Sequence, residues 1–182
     1  MRRRKPALIS VLGSKNSGKT TVIETLTREL TKRGYYVAAV KHIPERDFTI
    51  DKEGKDTWRF AKAGAKTIVA ISPTEIATIE KIDTKGLALN DIVKKCMDSD
   101  VVIIEGFRKL LEKNMRVPKI VTVKSTEEIP ENLKIFKPII AFAGLQQLKV
   151  QLNTPNVNAS KDGGKLADLV ENFIKKKGKG RF

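Results

Sequence analysis

The chain has 182 residues and a mass of 20.3 kDa, with 40% hydrophobic residues and a formal net charge of +15. This length predicts one domain with a core of ordinary size, and the single Cys96 excludes an intramolecular disulfide and a cysteine-based metal cluster. No stretch approaches the roughly 20 apolar residues of a transmembrane helix, and MRRRK leads into the short run ALISVL without a signal-peptide pattern. We therefore expect a cytoplasmic protein.

Most of the positive charge lies at the two ends of the chain. Nine of the fifteen net charges come from basic residues in end segments without acidic residues: Arg2, Arg3, Arg4, Lys5, Lys175, Lys176, Lys177, Lys179 and Arg181. Such ends are typical of solvated tails, so we predict a tail over 1–6, a single domain over 7–174 and a tail over 175–182. The tails leave a nucleic-acid-binding protein open as an alternative, although only 5% of the residues are aromatic and no RNP, KH or zinc-finger pattern occurs.

Strands and helices alternate in the first half of the chain. The apolar run 7–12 is typical of a buried parallel strand, and apolar residues at helical spacing predict a helix over 19–33 that ends before Gly34. A second strand is predicted at 35–40 and a second helix at 56–63. The turn Ser72-Pro73-Thr74 separates two further strands, at 66–71 and 75–81, which predicts an antiparallel hairpin.

The second half continues the alternation. Its predicted elements are a helix at 89–97, a strand at 101–105, a charged mobile loop at 108–118, strands at 119–124 and 138–144, and a helix at 165–176. Strands interleaved with helices indicate an α/β fold in three layers, with a doubly wound, mostly parallel sheet that carries the antiparallel hairpin. Such sheets bind ligands at the carboxyl ends of their strands.

The segment GSKNSGKT, residues 13–20, has the pattern G-x-x-x-x-G-K-[ST] between a predicted strand and a predicted helix. Glycines let the backbone curl so that its N–H groups converge on phosphate oxygens at a helix N-terminus. Lys19 is expected to reach the β- and γ-phosphates and Thr20 to serve Mg²⁺. We predict that the nucleotide binds Gly13, Ser14, Lys15, Asn16, Ser17, Gly18, Lys19, Thr20 and Thr21, and the alternative is a purely structural turn.

Glu105 is the leading candidate for the acidic partner of this loop. It closes the apolar run VVII and precedes Gly106, so it lies at a strand end, where an acidic side chain holds or orients the metal. The alternative is a strand-end carboxylate that faces solvent.

Two other polar groups are candidates for the same edge. The segment DKEGKD contains Asp51, Lys55 and Asp56, and forms either a loop that approaches phosphate or metal or an ordinary charged turn. His42, the single histidine, follows Lys41 at the end of the second predicted strand. It is either a ligand or a side chain satisfied by the backbone.

Four motifs in order, GSKNSGKTT, VKH, DKEGKDTWRFAKAGA and VVIIEGFRK followed by PKI, resemble the molybdopterin-guanine dinucleotide biosynthesis protein B family, MobB. The resemblance covers residues 7 to about 123 well. It implies a P-loop GTPase-like fold, GTP and Mg²⁺ binding, at most slow GTP hydrolysis, and an accessory role in molybdenum or tungsten cofactor biosynthesis. The implied partner is the molybdenum cofactor guanylyltransferase (MobA-like), with molybdopterin as a further candidate ligand.

The resemblance also assigns roles to residues. It implies phosphate contacts by Gly13, Ser17, Gly18 and Lys19, Mg²⁺ contacts by Thr20, Asp51 and Glu105, and a neighbouring face formed by Lys41, His42, Lys55, Asp56 and Arg59. The chain departs from the family at KHIPERDF, where members often carry further histidines, so metal or pterin contacts by such histidines are in doubt here.

The sequence contains no N-K-x-D motif for guanine, and AFAGLQQ at 141–147 is a positional candidate for the base-contacting loop. No residue is identifiable as a catalytic base, so the catalytic residues are unknown and hydrolysis is expected to be slow. The alternative function is a P-loop small-molecule kinase, with the basic segment 108–119 as a lid that clamps phosphate. The apolar strands of the hairpin at 67–82 predict a homodimer by edge-to-edge pairing.

Overall fold

In the computed structural model, residues 5–146, 148 and 150–179 are described, with side chains as far as Lys176. Residues 1–4 of the predicted N-terminal tail lie outside this range. The chain divides into two compact units, one formed by the residues up to His42 together with those from Leu89 onwards, and one formed by Ile43–Ala88.

The secondary structure alternates along the chain. The strands are β1 (Ala7–Gly13), β2 (Val37–Lys41), β3 (Thr67–Ile71), β4 (Ile76–Glu80), β5 (Val101–Glu105), β6 (Lys119–Thr122), β7 (Ile139–Gly144) and β8 (Asn156–Asn158). The helices are α1 (Lys19–Lys32), α2 (Asp56–Lys62), α3 (Leu89–Lys94), α4 (Arg108–Leu111), α5 (Ile129–Ile135) and α6 (Gly163–Lys179), and a 3₁₀ turn at Thr126–Glu128 precedes α5.

The first unit is built on a six-stranded parallel sheet with the strand order β2-β5-β1-β6-β7-β8. Alternate residues of each strand face opposite sides. On one side, Ile9 and Ile103 pack against apolar residues of α1 and α6 such as Leu26 and Leu166. On the other side, two clusters take residues from α4 and α5, with Phe142 in one of them. The predicted three-layer α/β fold is confirmed.

Close packing of α1 on α6 depends on a glycine. A Cβ at Gly163 would lie 2.5 Å from Thr25 Cγ2, so only glycine allows this approach. Arg33, at the end of α1, forms ion pairs with Asp168 at 2.8 Å and Glu171 at 3.1 Å on α6. The two helices are thereby joined by apolar contacts near the sheet and by charges at the surface.

The second unit contains α2 and the two-stranded antiparallel sheet β3–β4. Its register runs from Thr67 opposite Glu80 to Ile71 opposite Ile76, so the predicted hairpin is confirmed. At the turn, the Ser72 N–H donates to the Glu75 carbonyl at 2.8 Å. This bond closes the connection that Pro73 begins.

Three parts of the sequence-based prediction differ from the structure. The segment 108–118, expected to be a loop, contains α4, and its Leu111 and Val117 are buried. Helix α5 and strand β8 have no counterpart in the prediction, and α6 extends beyond the predicted 165–176. A four-residue helix carries almost no periodicity and a strand that reads Asn-Val-Asn has low β propensity, so tertiary packing decides both. Within the described residues, no helix is long and apolar enough to cross a membrane.

Candidate functional site

The glycine-rich loop lies at the carboxyl edge of the parallel sheet, between β1 and α1. Its two flanking strands are β5 and β6, because Val11 pairs with Glu105 and Gly13 pairs with Thr122. The loop, an acidic strand end and a threonine strand end therefore meet at one edge. Such an edge is where doubly wound sheets bind their ligands.

Backbone geometry explains the glycines of this loop. Gly13 has φ 154° and Gly18 has φ 91°, which are conformations that side chains disfavour. A Cβ at Gly13 would also overlap the hydroxyl and carbonyl oxygens of Thr122. Asn16 has φ 60°, and Asn is among the residues that tolerate this region best. The loop is thus held against β6 at a distance that only glycine permits.

Hydrogen bonds made by two buried hydroxyl groups hold the loop against β6. The buried Ser17 donates its Oγ–H to the Ser14 carbonyl at 2.7 Å, and its Oγ lies 2.6 Å from Thr122 Oγ1. Either hydroxyl can be the donor in this short contact. Thr122 Oγ1 also lies 3.2 Å from the Leu12 carbonyl. Buried hydroxyls satisfied in this way hold the loop in one conformation.

The open side of the loop is positively polarised. Lys19 Nζ donates to the Ser14 carbonyl at 2.7 Å and thus lies folded over the loop. Helix α1 begins after Gly18 without a side-chain cap and has no acidic residue in its first turn. Its first N–H groups and its dipole therefore face the loop without a competing negative charge, as an anion-binding helix terminus requires. Thr20 is exposed in this first turn.

Glu105 and His42 lie side by side at the ends of β5 and β2. The Glu105 side chain is 14% exposed and its carboxylate is 3.9 Å from Lys41 Nζ, while the His42 N–H donates to the Glu105 carbonyl at 2.9 Å. The His42 ring packs on Phe107 with a centroid distance of 4.5 Å. Gly106 has φ 84°, and a Cβ there would lie 2.9 Å from His42 Cβ. This glycine therefore lets the two strand ends approach closely.

The other predicted residues belong to the second unit. Asp51 Oδ1 accepts hydrogen bonds from Thr57 Oγ1 at 2.8 Å and from the Lys52 N–H at 2.9 Å. Its Oδ2 is buried and has no hydrogen-bond partner within the described residues. Asp56 and Arg59 form an exposed i,i+3 ion pair at 3.5 Å on α2. Lys55 is the residue that precedes this helix.

Glu105 and Thr20 are the residues of the first unit that were predicted to bind Mg²⁺. No group of three or more His, Cys, Asp or Glu side chains capable of holding a metal occurs in the described part of the chain. Mg²⁺ needs no such group, because it keeps several waters and binds one or two carboxylates together with substrate phosphates. Glu105 and the Thr20 hydroxyl offer oxygen ligands of this kind.

Two further contacts support the glycine-rich loop, one outside the sequence-based candidates and one within the candidate segment 141–147. Thr122 supports Ser17 from β6, and a polar residue inside the apolar run KIVTV is the signal that could have identified it. Leu145, which follows β7, lies so near Gly18 that a Cβ there would be 3.3 Å from Leu145 Cγ. Leu145 lies in the segment 141–147, the positional candidate for the base-contacting loop. The contact between Leu145 and Gly18 places the segment after β7 beside the glycine-rich loop, residues 13–20, hereafter the phosphate loop.

Comparison with known proteins gives one consistent result. The family model described as "Molybdopterin guanine dinucleotide synthesis protein B" matches residues 8–144. A Haemophilus influenzae molybdopterin-guanine dinucleotide biosynthesis adapter protein is 30% identical over 172 residues, which are 92% of this chain and 89% of that protein. A Methanocaldococcus jannaschii relative is 37% identical over 123 residues, or 66% of this chain, but the match spans only 48% of that relative's length.

A solved structure supports the same relationship. The crystal structure of a molybdopterin-guanine biosynthesis protein B superimposes with a TM-score of 0.69 and 26% sequence identity. The superposition covers 92% of this chain and 99% of that protein. The similarity thus extends beyond the phosphate loop to nearly the whole fold.

Proposed function

Because the chain belongs to the molybdopterin guanine dinucleotide synthesis protein B family, we propose that it is a GTP-binding adapter in molybdenum cofactor biosynthesis. The observation that supports this proposal is the conformation of the glycine-rich loop, in which Gly13 packs against Thr122, Ser17 donates to the Ser14 carbonyl and Lys19 lies folded over the loop. The adapter acts in the cytoplasm beside the MobA-like enzyme that joins a guanylyl group to molybdopterin.

The proposed nucleotide lies with its phosphates over the loop. Backbone N–H groups of residues 14–19 bind the phosphate oxygens, and Lys19 exchanges its bond with the Ser14 carbonyl for the β- and γ-phosphates. The exchange costs little, because Ser14 is exposed and its carbonyl keeps the bond from Ser17. Lys15, Asn16 and Thr21 contribute through their backbone.

In this proposal, Thr20 and Glu105 bind Mg²⁺ between the loop and the end of β5. The ion neutralises part of the phosphate charge. The role of Asp51 stays a prediction; its buried Oδ2 has no hydrogen-bond partner in the described residues. Lys41 and His42 line the strand ends next to Glu105. Roles of Lys55, Asp56 and Arg59 toward the nucleotide also stay predictions.

The proposed adapter is at most a slow GTPase. Fast hydrolysis needs a residue that orients the attacking water. At the ends of β5 and β2 the polar side chains are Glu105, Lys41 and His42. The His42 backbone N–H donates to the Glu105 carbonyl, and the His42 ring packs at a tilt against Phe107. Nucleotide occupancy, with little turnover, then governs the interaction with the partner enzyme.

Guanine is proposed to lie beside the segments that follow β7 and β8. Asn158, at the end of β8, donates its Nδ2 to the Leu145 carbonyl at 3.0 Å and accepts from the Ser160 and Lys161 N–H groups at 3.0 Å. These bonds join the two segments next to Gly18. Of the candidate base-contacting loop 141–147, residue 147 lies outside the described residues.

Calorimetric titration with GTP and ATP, with and without Mg²⁺, tests the proposal. We expect GTP to bind with Mg²⁺, to be preferred over ATP, and to lose at least about tenfold in affinity in Lys19→Ala, since a charge-assisted bond to phosphate contributes about 1.5–3 kcal/mol. The matched control is Lys32→Ala at the far end of the same helix, where the lysine pairs with Glu29. Equal affinity of the protein for GTP and ATP contradicts the guanine assignment.

A homodimer through the hairpin is a further part of the proposal. A two-stranded sheet leaves both edges open, and Ile71 and Ile76 are 75% and 69% exposed. We expect light scattering to give a dimer mass for the wild-type chain and a monomer mass for Ile76→Lys. Glu75→Lys, a neighbouring charge change outside the strand, is the control and should stay dimeric. A monomeric wild-type chain at micromolar concentration refutes this pairing.

A further inference from the structure

The turn that follows Glu105 has an unusual backbone conformation. Gly106 and Phe107 have positive φ angles of 84° and 50°, so two successive residues adopt the left-handed region. Glycine does so readily, but a residue with a bulky side chain such as Phe107 rarely does. Strained residues of this kind cluster at functional sites and persist only where surrounding contacts hold them. The contacts of Phe107 therefore indicate the purpose of this conformation.

Two sets of contacts hold Phe107 in place. Its carbonyl accepts hydrogen bonds from the N–H groups of Leu110 at 2.9 Å and Leu111 at 3.0 Å, and Leu111 has no exposed surface. Its ring packs at a tilt against His42, with a centroid distance of 4.5 Å and an angle of 41° between the ring planes. The backbone of Phe107 is thus fixed by α4 and its side chain by His42.

His42 also contacts the residues that precede Phe107. The register of β2 on β5 places Lys41 beside Glu105, and the His42 N–H continues this ladder by donating to the Glu105 carbonyl at 2.9 Å. A Cβ at Gly106 would lie 2.9 Å from His42 Cβ, so His42 passes directly over this glycine. The single residue after β2 therefore lies against all three residues of the turn 105–107.

The Glu105 carboxylate depends on this turn for its position. Within the described residues its ion pair is with Lys41 at 3.9 Å, and the Lys41 side chain is 61% exposed. Such a pair is weak, because water screens the charges and ordering a long exposed side chain costs entropy. The backbone of the turn 105–107, and not a side-chain partner, therefore sets the direction of the carboxylate.

We propose that His42 and Phe107 are positioning residues for the metal ion of the nucleotide site. Their ring contact holds the turn 105–107 in its strained conformation. Because Glu105 pairs with Val11 of β1, this turn keeps the carboxylate beside the phosphate loop, where it binds Mg²⁺. His42 thus acts through its ring packing and its backbone N–H, and not as a metal ligand. These roles rest on the proposed function, because they need a nucleotide and Mg²⁺ at the loop.

Calorimetric titration of GTP, in Mg²⁺ and in EDTA, tests these roles. In His42→Ala and Phe107→Ala the ratio of the two affinities should fall by about tenfold, because losing a partner that orients a metal ligand costs about 10–100-fold in metal affinity. The affinity in EDTA should not change. His42→Phe keeps an aromatic ring but has no ring nitrogen, so it should retain the wild-type ratio. Leu110→Ala, a truncation in the same apolar cluster that leaves both rings in place, is the matched control and should also retain it.

A second readout uses the protein without ligands. His42 is the single histidine of the chain, so its ring C–H signals in the proton NMR spectrum need no further assignment. The ring current of Phe107 should shift these signals from their positions in an unstructured peptide. Phe107→Ala should remove this shift and Leu110→Ala should keep it. Melting temperatures show whether each variant is folded under the conditions of the titration.

The pattern across the variants decides between a positioning role and its alternatives. A lower ratio in both alanine variants, with the wild-type ratio in His42→Phe, supports the positioning roles. An equal loss in His42→Phe and His42→Ala overturns them, because His42 is then a ligand. A loss of affinity in EDTA also overturns them, because the contact is then a general support of the fold.

Two further outcomes separate these roles from the proposed function. Equal ratios in the wild type and all variants overturn the roles and leave GTP binding intact. If GTP binds the wild type neither in Mg²⁺ nor in EDTA, the proposed function fails and the positioning roles fail with it. If Phe107→Ala does not fold, the pair His42→Ala and His42→Phe decides, since His42 is exposed and tolerates substitution.

Discussion

Lys119 offers a quantitative test of the fold, because it is a lysine with no exposed surface at the start of β6. Its ammonium donates to the carbonyl oxygens of Asn114 at 2.6 Å and Lys137 at 2.5 Å. No carboxylate pairs with it within the described residues. Burial lowers the pKa of Lys119 from 10.5 to about 8. We predict that replacing it by methionine removes a pH dependence of stability.

The sign and the size follow from proton linkage. Between the folded pKa of about 8 and the unfolded value of 10.5, the unfolded state binds more protons, so the free energy of unfolding rises with pH. The full difference corresponds to about 3 kcal/mol. Relative to Lys119→Met, the wild-type chain should gain about 1 kcal/mol from about pH 7 to about pH 9, and about 2.5 kcal/mol by about pH 10.

Urea denaturation followed by circular dichroism at several pH values measures this gain. Only the difference between wild type and variant is used, since other lysines and tyrosines also titrate above about pH 9. Lys124→Met, an exposed lysine just beyond β6, is the matched control and should keep the wild-type pH dependence. Parallel pH profiles for the wild type and Lys119→Met would show that Lys119 is charged and solvated in the folded state, which refutes the reasoning.

Three further substitutions test the site and the core. Gly13→Ala should abolish GTP binding in calorimetry and lower the melting temperature, because its Cβ overlaps Thr122; unchanged affinity contradicts the packed loop. Leu26→Ala should lower the free energy of unfolding in urea by about 2–5 kcal/mol, since Leu26 has no exposed surface, and a loss below about 1 kcal/mol would contradict the packing. Glu171→Gln should destabilise the protein at neutral pH. The hydrogen bond from Lys175, and then that from Tyr35, lower the pKa of Glu171. Its contribution to folding stability is therefore present above the ordinary pKa of 4.5 and is lost as pH falls through the lower folded pKa. If the wild type exceeded Glu171→Gln in melting temperature by the same amount at about pH 3 and at about pH 7, this reasoning would be contradicted.

Local patterns were sufficient for the central strands, for α1 and for the phosphate loop. The run ALISVL is apolar except for Ser10, α1 repeats apolar residues every three to four positions, and Gly13 and Gly18 bracket the pattern G-x-x-x-x-G-K-[ST]. These features depend on interactions between residues that are close in sequence, so they can be predicted from the sequence alone. The order of the four motifs likewise identifies the family from the sequence alone.

Long-range contacts decided what the patterns could not. Thr122 supports Ser17 across 105 residues of chain, Arg108 lies over Phe136, and Lys119 is buried between carbonyl groups from two turns. None of these pairs has a signature in residue spacing, because the partners meet only when parallel strands align their carboxyl ends and helices cover the sheet. The loop residues were therefore predictable from the chain alone, whereas the support beneath the loop exists only in the folded protein.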